Sequence, residues 1–303
     1  MLILLFGCSE PPSGTPADRP DAVDTAESGT AASSGCGIAT GHPSGGVQLT
    51  LDAGAAGDGE RTYWLSLPPD YDPDVPHTLT IGYAGTDWTG EQIQPYLGLE
   101  DRSGAAEIYV YPDPLWRDFE GWGTYGGWVL GEHAQPADGV GDLNFTAVLL
   151  DALEATYCID TDRVFATGHS WGGDMAQVTS CFLGDRITAS VPVAANRPYW
   201  FEESSGWSTC IGDTAVWTMF GINDDHFTWQ DYPGQYGDEC RDFWLEERAC
   251  DTETTDLGYG AVEECIRYSG CSSEVRYCLY GPQTGHQIPS YFSEATISFF
   301  RSF

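Results

Sequence analysis

The stretch Val164-Phe165-Ala166-Thr167-Gly168-His169-Ser170-Trp171-Gly172-Gly173 has the residue types and spacing to do chemistry. Apolar, β-prone residues run into the pattern G-x-S-x-G, and a helix-compatible stretch follows. A serine on a sharp strand-to-helix turn holds its hydroxyl exposed above the sheet. Side chains at Gly168 and Gly172 would clash in such a turn. The following helix points its free N–H groups and the positive end of its dipole at the same place. This is the equipment of a nucleophile whose adduct with a carbonyl carries negative charge.

A serine alone is a weak nucleophile at neutral pH, so it needs a base, and the base needs a group to orient it. On this kind of turn the partners follow the serine in the order acid, then histidine. Of the six His, only His226 and His286 follow Ser170. His286 lies in Gly285-His286-Gln287, after the last strand candidate, and is the expected base. His226 leaves too little chain for an intervening acid. The acid is expected in Gly221-Ile222-Asn223-Asp224-Asp225-His226, just beyond a buried-type strand. Asp224 is the first choice and Asp225 the fallback, since two adjacent carboxylates cannot both point at one imidazole. An oxyanion hole needs two backbone N–H donors. One is expected from Trp171 and the other from Gly85 or Thr86, in the loop after an earlier strand.

These residues must be positioned by alternating strands and helices. Residues 46–51 and 61–67 alternate like strands, and Pro68-Pro69 breaks the chain after them. Residues 78–84, 106–111, 163–166, 187–194 and 214–220 read as buried-type strands. Residues 264–268 and 275–280 flank a turn at Gly270. Helical spacing marks 140–157, 170–183, 236–248 and 290–303. Such alternation implies a mainly parallel sheet covered by helices on both faces.

Twelve basic residues, all Arg, stand against 46 acidic ones, a net charge of −34. That balance excludes nucleic-acid binding, which needs cations to displace phosphate counterions, and charge-driven docking on anionic lipid. It keeps a protein soluble and monomeric. Hydrophobic residues make up 41% of the chain, enough for a core, so global disorder is excluded. Ten Cys point to an oxidising compartment. No C-x-x-C occurs, which argues against a zinc site.

The chain opens on a short apolar run, Met1 to Phe6, and Leu5-Phe6-Gly7-Cys8 resembles a lipobox in which Cys8 is lipidated. Residues 1–8 then read as the remnant of a lipoprotein-type signal. Residues 9–35 are rich in Pro, Gly, Ser, Thr, Ala and Asp and read as a disordered linker. The domain is expected over 36–303, secreted or on the cell surface, with any membrane contact made through the lipid. Cys265 and Cys278 lie opposite each other if the last hairpin centres between Cys271 and Ser272. A Cys158–Cys181 bridge would tie the segment before the nucleophile strand to the end of the helix after it. Connectivity does not follow from spacing alone.

From about Cys36 to Phe303 the chain resembles the secreted feruloyl esterase and acetyl xylan esterase group, with the related polyhydroxybutyrate depolymerase-like esterases. The resemblance is carried by Cys36-Gly37, Arg61-Thr62-Tyr63 leading to Leu67-Pro68, Gly82-Tyr83 and Asp142 to Leu149. It continues in Cys158 to Val164, Gly168 to Gly173, Gly221 to Asp224, Tyr268-Ser269-Gly270-Cys271 and Gly285-His286. It implies an α/β-hydrolase fold, with Ser170 as nucleophile, Asp224 as acid and His286 as base. It implies an ester substrate, polysaccharide-linked or polyester, and no cofactor or metal. It also suggests Cys250–Cys271 and Cys36–Cys210 bridges, which leave Cys240 unpaired. Trp88, Trp122 and Trp128, with Trp116 and Tyr125 nearby, offer rings to stack on a feruloyl group or a sugar. At least half of these rings are expected to cover the core instead. A reading of another class is a non-catalytic surface binding module on a hydrolase scaffold. Retention of Ser, Asp and His in the right order argues against it.

Overall fold

A computed structural model describes residues 31–41, 45–119, 121–129, 140–198, 201, 206–227, 229–259, 262–281 and 285–303. The lipobox with Cys8 and most of the expected linker lie outside the described residues. Ten strands form one sheet: β1 (Gly45–Asp52), β2 (Glu60–Leu67), β3 (His77–Tyr83), β4 (Ile108–Pro112), β7 (Ile159–His169), β8 (Ala189–Val193), β9 (Ala215–Gly221), β10 (Thr254–Asp256), β11 (Val262–Tyr268) and β12 (Val275–Tyr280). Their order is β1-β2-β4-β3-β7-β8-β9-β12-β11-β10. The centre, from β4 to β12, is parallel, while β1, β2, β10 and β11 add antiparallel strands at the two sides. Strands β5 (Leu115–Phe119) and β6 (Gly123–Gly127) make a separate hairpin.

The central strands are apolar runs because both faces are covered. Helices α3 (Val140–Thr156), α4 (Trp171–Phe182) and α5 (Gln235–Glu247) pack on one face, around Leu79, Ile81, Val164 and Val216. Helices α1 (Gly90–Leu97), α2 (Leu99–Ser103) and α6 (Phe292–Phe300) pack on the other, around Phe165, Val191 and Trp217. The sheet covered on both faces is therefore as expected.

Several elements differ from the sequence expectation. Strand β7 spans 11 residues, not four, because its polar start runs on past the apolar part. That start pairs with residues 31–33: Ser33 N–H donates to the Ile159 carbonyl at 2.8 Å, and Ala32 bridges Asp160. Residues 31–35 thus belong to the folded unit rather than to a linker ending at 35; small polar residues disguise an edge pairing. Helix α1 carries a capping box, Thr89 with Gln92, that a search for long apolar periodicity overlooks.

The hairpin register places Cys265 opposite Cys278, and the two are bridged, as is Cys250 to Cys271. The other two bridges are Cys36–Cys158 and Cys181–Cys210, not Cys158–Cys181 and Cys36–Cys210. The paired segment at 31–37 brings Cys36 to the head of β7. The Ile211 N–H donates to the Cys181 carbonyl at 2.8 Å, which brings the 206–214 loop to the end of α4. Cys240 is free and buried.

Below the site, Asp142 in the first turn of α3 is fully buried between two arginines. Its oxygens lie 2.8 Å from Arg61 Nη1 and 3.0 Å from Arg117 Nη1, and it accepts the Val129 N–H at 2.6 Å. Burial alone would raise its pKa; the two guanidinium charges outweigh that and hold the pKa below the ordinary carboxylate range. This cluster ties β2, the β5–β6 hairpin and α3 together. Asp142→Ala leaves the buried Arg61 without its ion-pair partner and Arg117 with Asp58 alone, so it is expected to cost about 3–5 kcal/mol. For a domain of this size that lowers Tm by roughly 6–20 °C. A melting curve displaced by less than about 2 °C would contradict this role.

Candidate active site

Ser170 sits between the last residue of β7 and the first of α4 with φ 61° and ψ −130°. This left-handed conformation is costly for a residue with a side chain, of order 1–3 kcal/mol. The surroundings enforce it. The Ser170 N–H donates to the Val193 carbonyl, and the Ser170 carbonyl accepts the Asp174 N–H, both at 3.0 Å. A Cβ at Gly168 would collide with the Gly172 carbonyl, and one at Gly172 with the Tyr83 carbonyl. The glycines of the motif thus allow two backbones to meet beneath the serine.

Asp224 follows β9, and its side chain is sealed from solvent. His286 lies in the loop after β12, with Nδ1 at 2.8 and 2.9 Å from the two Asp224 oxygens. An ionised carboxylate can only accept, so Nδ1 carries the proton and Nε2 is left with its lone pair. Asp225 meets the His226 ring rather than that of His286: its side chain is 75% exposed and lies 3.1 Å from His226 Nδ1. Of the two adjacent carboxylates, Asp224 is the one in contact with the His286 ring.

Ser170 and His286 line one open cleft of about 580 Å³, together with Gly85, Thr86, Trp88 and Tyr96. A Cβ at Gly85 would stand 3.1 Å from the His169 carbonyl and 3.5 Å from Ser170 Cβ, so the β3–α1 loop runs directly beside Ser170. Trp171 opens α4, where helix N–H groups are free to donate outward. Its ring packs at 4.7 Å on Phe119. Trp88 meets Tyr96 edge-on at 5.1 Å. The Tyr96 hydroxyl accepts the Ile288 N–H at 3.1 Å and so fastens α1 to the loop of His286.

The other two tryptophans fare differently. Trp128 is fully buried; its indole N–H donates to the Ala84 carbonyl at 2.8 Å, and its ring meets Tyr83 edge-on. It supports the Gly85 loop from below and cannot touch a substrate. Its place within the aromatic segment 116–128 suggests a site residue because exposure has no signature in residue type. Trp122 is at the turn of the β5–β6 hairpin, partly exposed and outside the lining of the cleft.

Three cleft residues escape a search for nucleophile, acid and base: Tyr96, His169 and His226. The His286 ring has two imidazole neighbours, His226 stacked at 4.0 Å and His169 tilted at 4.7 Å. Among the described residues Asp224, His226 and His286 also form the one group of three that could gather around a metal ion. Both Asp224 oxygens already face His286 Nδ1, which fits a proton-handling pair better than a metal centre.

Burial, reinforced by His286 and His226, pushes the His169 imidazole down to about 3. An unfolded chain protonates the same ring below about 6.5. The folded state refuses that proton until about pH 3, so stability is complete above pH 6.5 and is lost as pH falls toward 3. The slope is up to about 1.4 kcal/mol per pH unit. His169→Phe keeps a ring and removes the proton. Melting temperature is expected to fall less steeply in this variant between pH 6.5 and 4 than in the parent, since other groups titrate in both. Parallel curves would rule out a neutral, buried His169.

No family model matches the chain. It is 33% identical over 256 residues to the probable feruloyl esterase C of Aspergillus clavatus, covering 82% of this chain and 81% of that one. It is 28% identical over 248 residues to feruloyl esterase C of Emericella nidulans, covering 78% and 81%. Among solved structures, acetyl xylan esterase from Aspergillus awamori superposes with a TM-score of 0.62 at 15% identity, covering 84% of this chain and 99% of that one. A ferulic acid esterase superposes at 0.56 and 17% identity, covering 86% and 100%. The fold they share with this chain is the α/β-hydrolase fold.

Proposed function

The chain belongs to the feruloyl esterase C family, and from that premise we propose that it splits feruloyl or acetyl esters of plant polysaccharides by a Ser170–His286–Asp224 mechanism. It is a carboxylic ester hydrolase of the feruloyl and acetyl xylan esterase group. The observation that carries the residue assignment is the two-oxygen contact of Asp224 with His286 in the cleft that Ser170 lines.

Ser170 Oγ attacks the ester carbonyl while His286 Nε2 takes its proton. Asp224 holds the ring in the tautomer that makes this possible and steadies the imidazolium that forms. The oxyanion is received by the N–H of Trp171 and by that of Gly85 or Thr86. His286 returns the proton to the departing alcohol and leaves an acyl-enzyme. Water, activated by the same base, then releases the acid. The acyl group lies against Trp88, Tyr96 and Ile93, an apolar wall that suits an aromatic acid. The product carboxylate leaves a protein of net charge −34, so repulsion favours release.

The four bridges suit an oxidising, extracellular setting. A monomer tethered through a lipid on Cys8 completes the proposal. The substrate test is hydrolysis of methyl ferulate beside p-nitrophenyl acetate. Turnover of both supports the feruloyl reading. Cleavage of the acetate alone moves the proposal to acetyl or short polyester substrates.

A further inference from the structure

Trp116 is left open by the fold, with 65% of its surface exposed. It occupies an outward position on β5, between Leu115 and Arg117, which turn toward the protein. Its cross-strand partner is Gly126, so no opposing side chain covers the ring. The indole lies across that glycine: a Cβ there would stand 3.4 Å from Trp116 Cε2 and 3.5 Å from Nε1. The same Cβ would stand 3.5 Å from Asp87 Cα. At this residue the hairpin is clasped to the loop beside the nucleophile. The Asp87 N–H donates to the Gly126 carbonyl at 2.8 Å, and the Gly126 N–H donates to Asp87 Oδ1 at 2.9 Å. The next residue, Trp88, lines the cleft.

We propose that Trp116 is a platform for a neutral sugar of the polysaccharide chain that carries the ester, just outside the Ser170 cleft. This rests on the reading of the cleft as an esterase for polysaccharide esters. A sugar ring offers a C–H face to an indole and hydroxyls to its rim. Asp118 and Thr124, paired with each other on the same outward face, supply polar atoms beside the ring. The net charge of −34 disfavours an anionic chain such as one rich in uronate. A protein partner would need roughly 800 Å² on each side, and the outward hairpin face around this one ring is polar. The clasp through Asp87 places the platform on the same rigid rim as Trp88, so a bound chain would present its ester to Ser170.

The test uses the full chain carrying Ser170→Ala, depleted from solution by insoluble arabinoxylan. Adding Trp116→Ala is expected to weaken retention about tenfold, while Trp116→Phe, which keeps an aromatic face, weakens it less than about threefold. Equal retention with and without Trp116, or no retention of the Ser170→Ala protein, overturns the platform. Hydrolysis of methyl ferulate or p-nitrophenyl acetate by the parent, lost with Ser170→Ala, tests the underlying reading separately. If neither ester is hydrolysed but retention still depends on Trp116, the platform stands and the esterase reading beneath it falls.

Discussion

Ser170→Ala is expected to lower kcat on methyl ferulate by about 10⁵–10⁶-fold, with the fold intact. The nucleophile and its base act as a unit, so losing either removes nearly all of the chemistry. What survives comes from the oxyanion donors and binding alone. Stability gives an independent check on the turn. At φ 61° alanine meets the same backbone strain as serine, so Ser170→Ala melts close to the parent. Ser170→Gly fits that conformation freely and is expected to be about 1 kcal/mol more stable than Ser170→Ala, although equally inactive. If the alanine variant kept more than about a hundredth of parental activity, the nucleophile assignment would fail.

Asp224→Asn is expected to reduce kcat about 10⁴-fold with little change in KM, because an amide can hold the ring in the wrong tautomer while leaving the geometry in place. The neighbouring carboxylate is the natural control. Asp225 is exposed and its carboxylate meets the His226 ring, not the His286 ring, so Asp225→Asn is expected to change kcat by less than about fivefold. The contrast between two adjacent, chemically identical residues rests on orientation alone. Similar losses in both variants would contradict it.

The placement of the candidate site residues was legible because it is local or follows chain order. The glycines around Ser170 report a turn in which backbones touch, and the contacts of Gly168 and Gly172 are of that kind. Asp224 and His286 are expected to meet from their places after β9 and β12 at the same edge of the sheet, and the structure brings the two into contact. The register of Cys265 with Cys278 follows from the symmetry of a hairpin about its turn.

The illegible parts depend on tertiary packing. Trp128 and Trp116 both stand in the aromatic segment, yet one is buried against Ala84 and the other lies open over Gly126. Only the fold of the β5–β6 hairpin decides which is which. Tyr96 reaches the cleft from α1, a helix with Pro95 inside it that shows no long apolar period. The partners of Cys36 and Cys210 depend on where irregular segments lie across the sheet ends, which spacing does not encode.

Covalent labelling by a fluorophosphonate, located by peptide mass, tests the central claim most directly. An activated serine beside an oxyanion hole attacks the phosphorus as it would an ester carbonyl, and an ordinary surface serine does not. A single adduct is expected on the peptide containing Ser170, absent in Ser170→Ala and strongly slowed in His286→Ala. An unlabelled protein, or an adduct elsewhere that persists in Ser170→Ala, would contradict it.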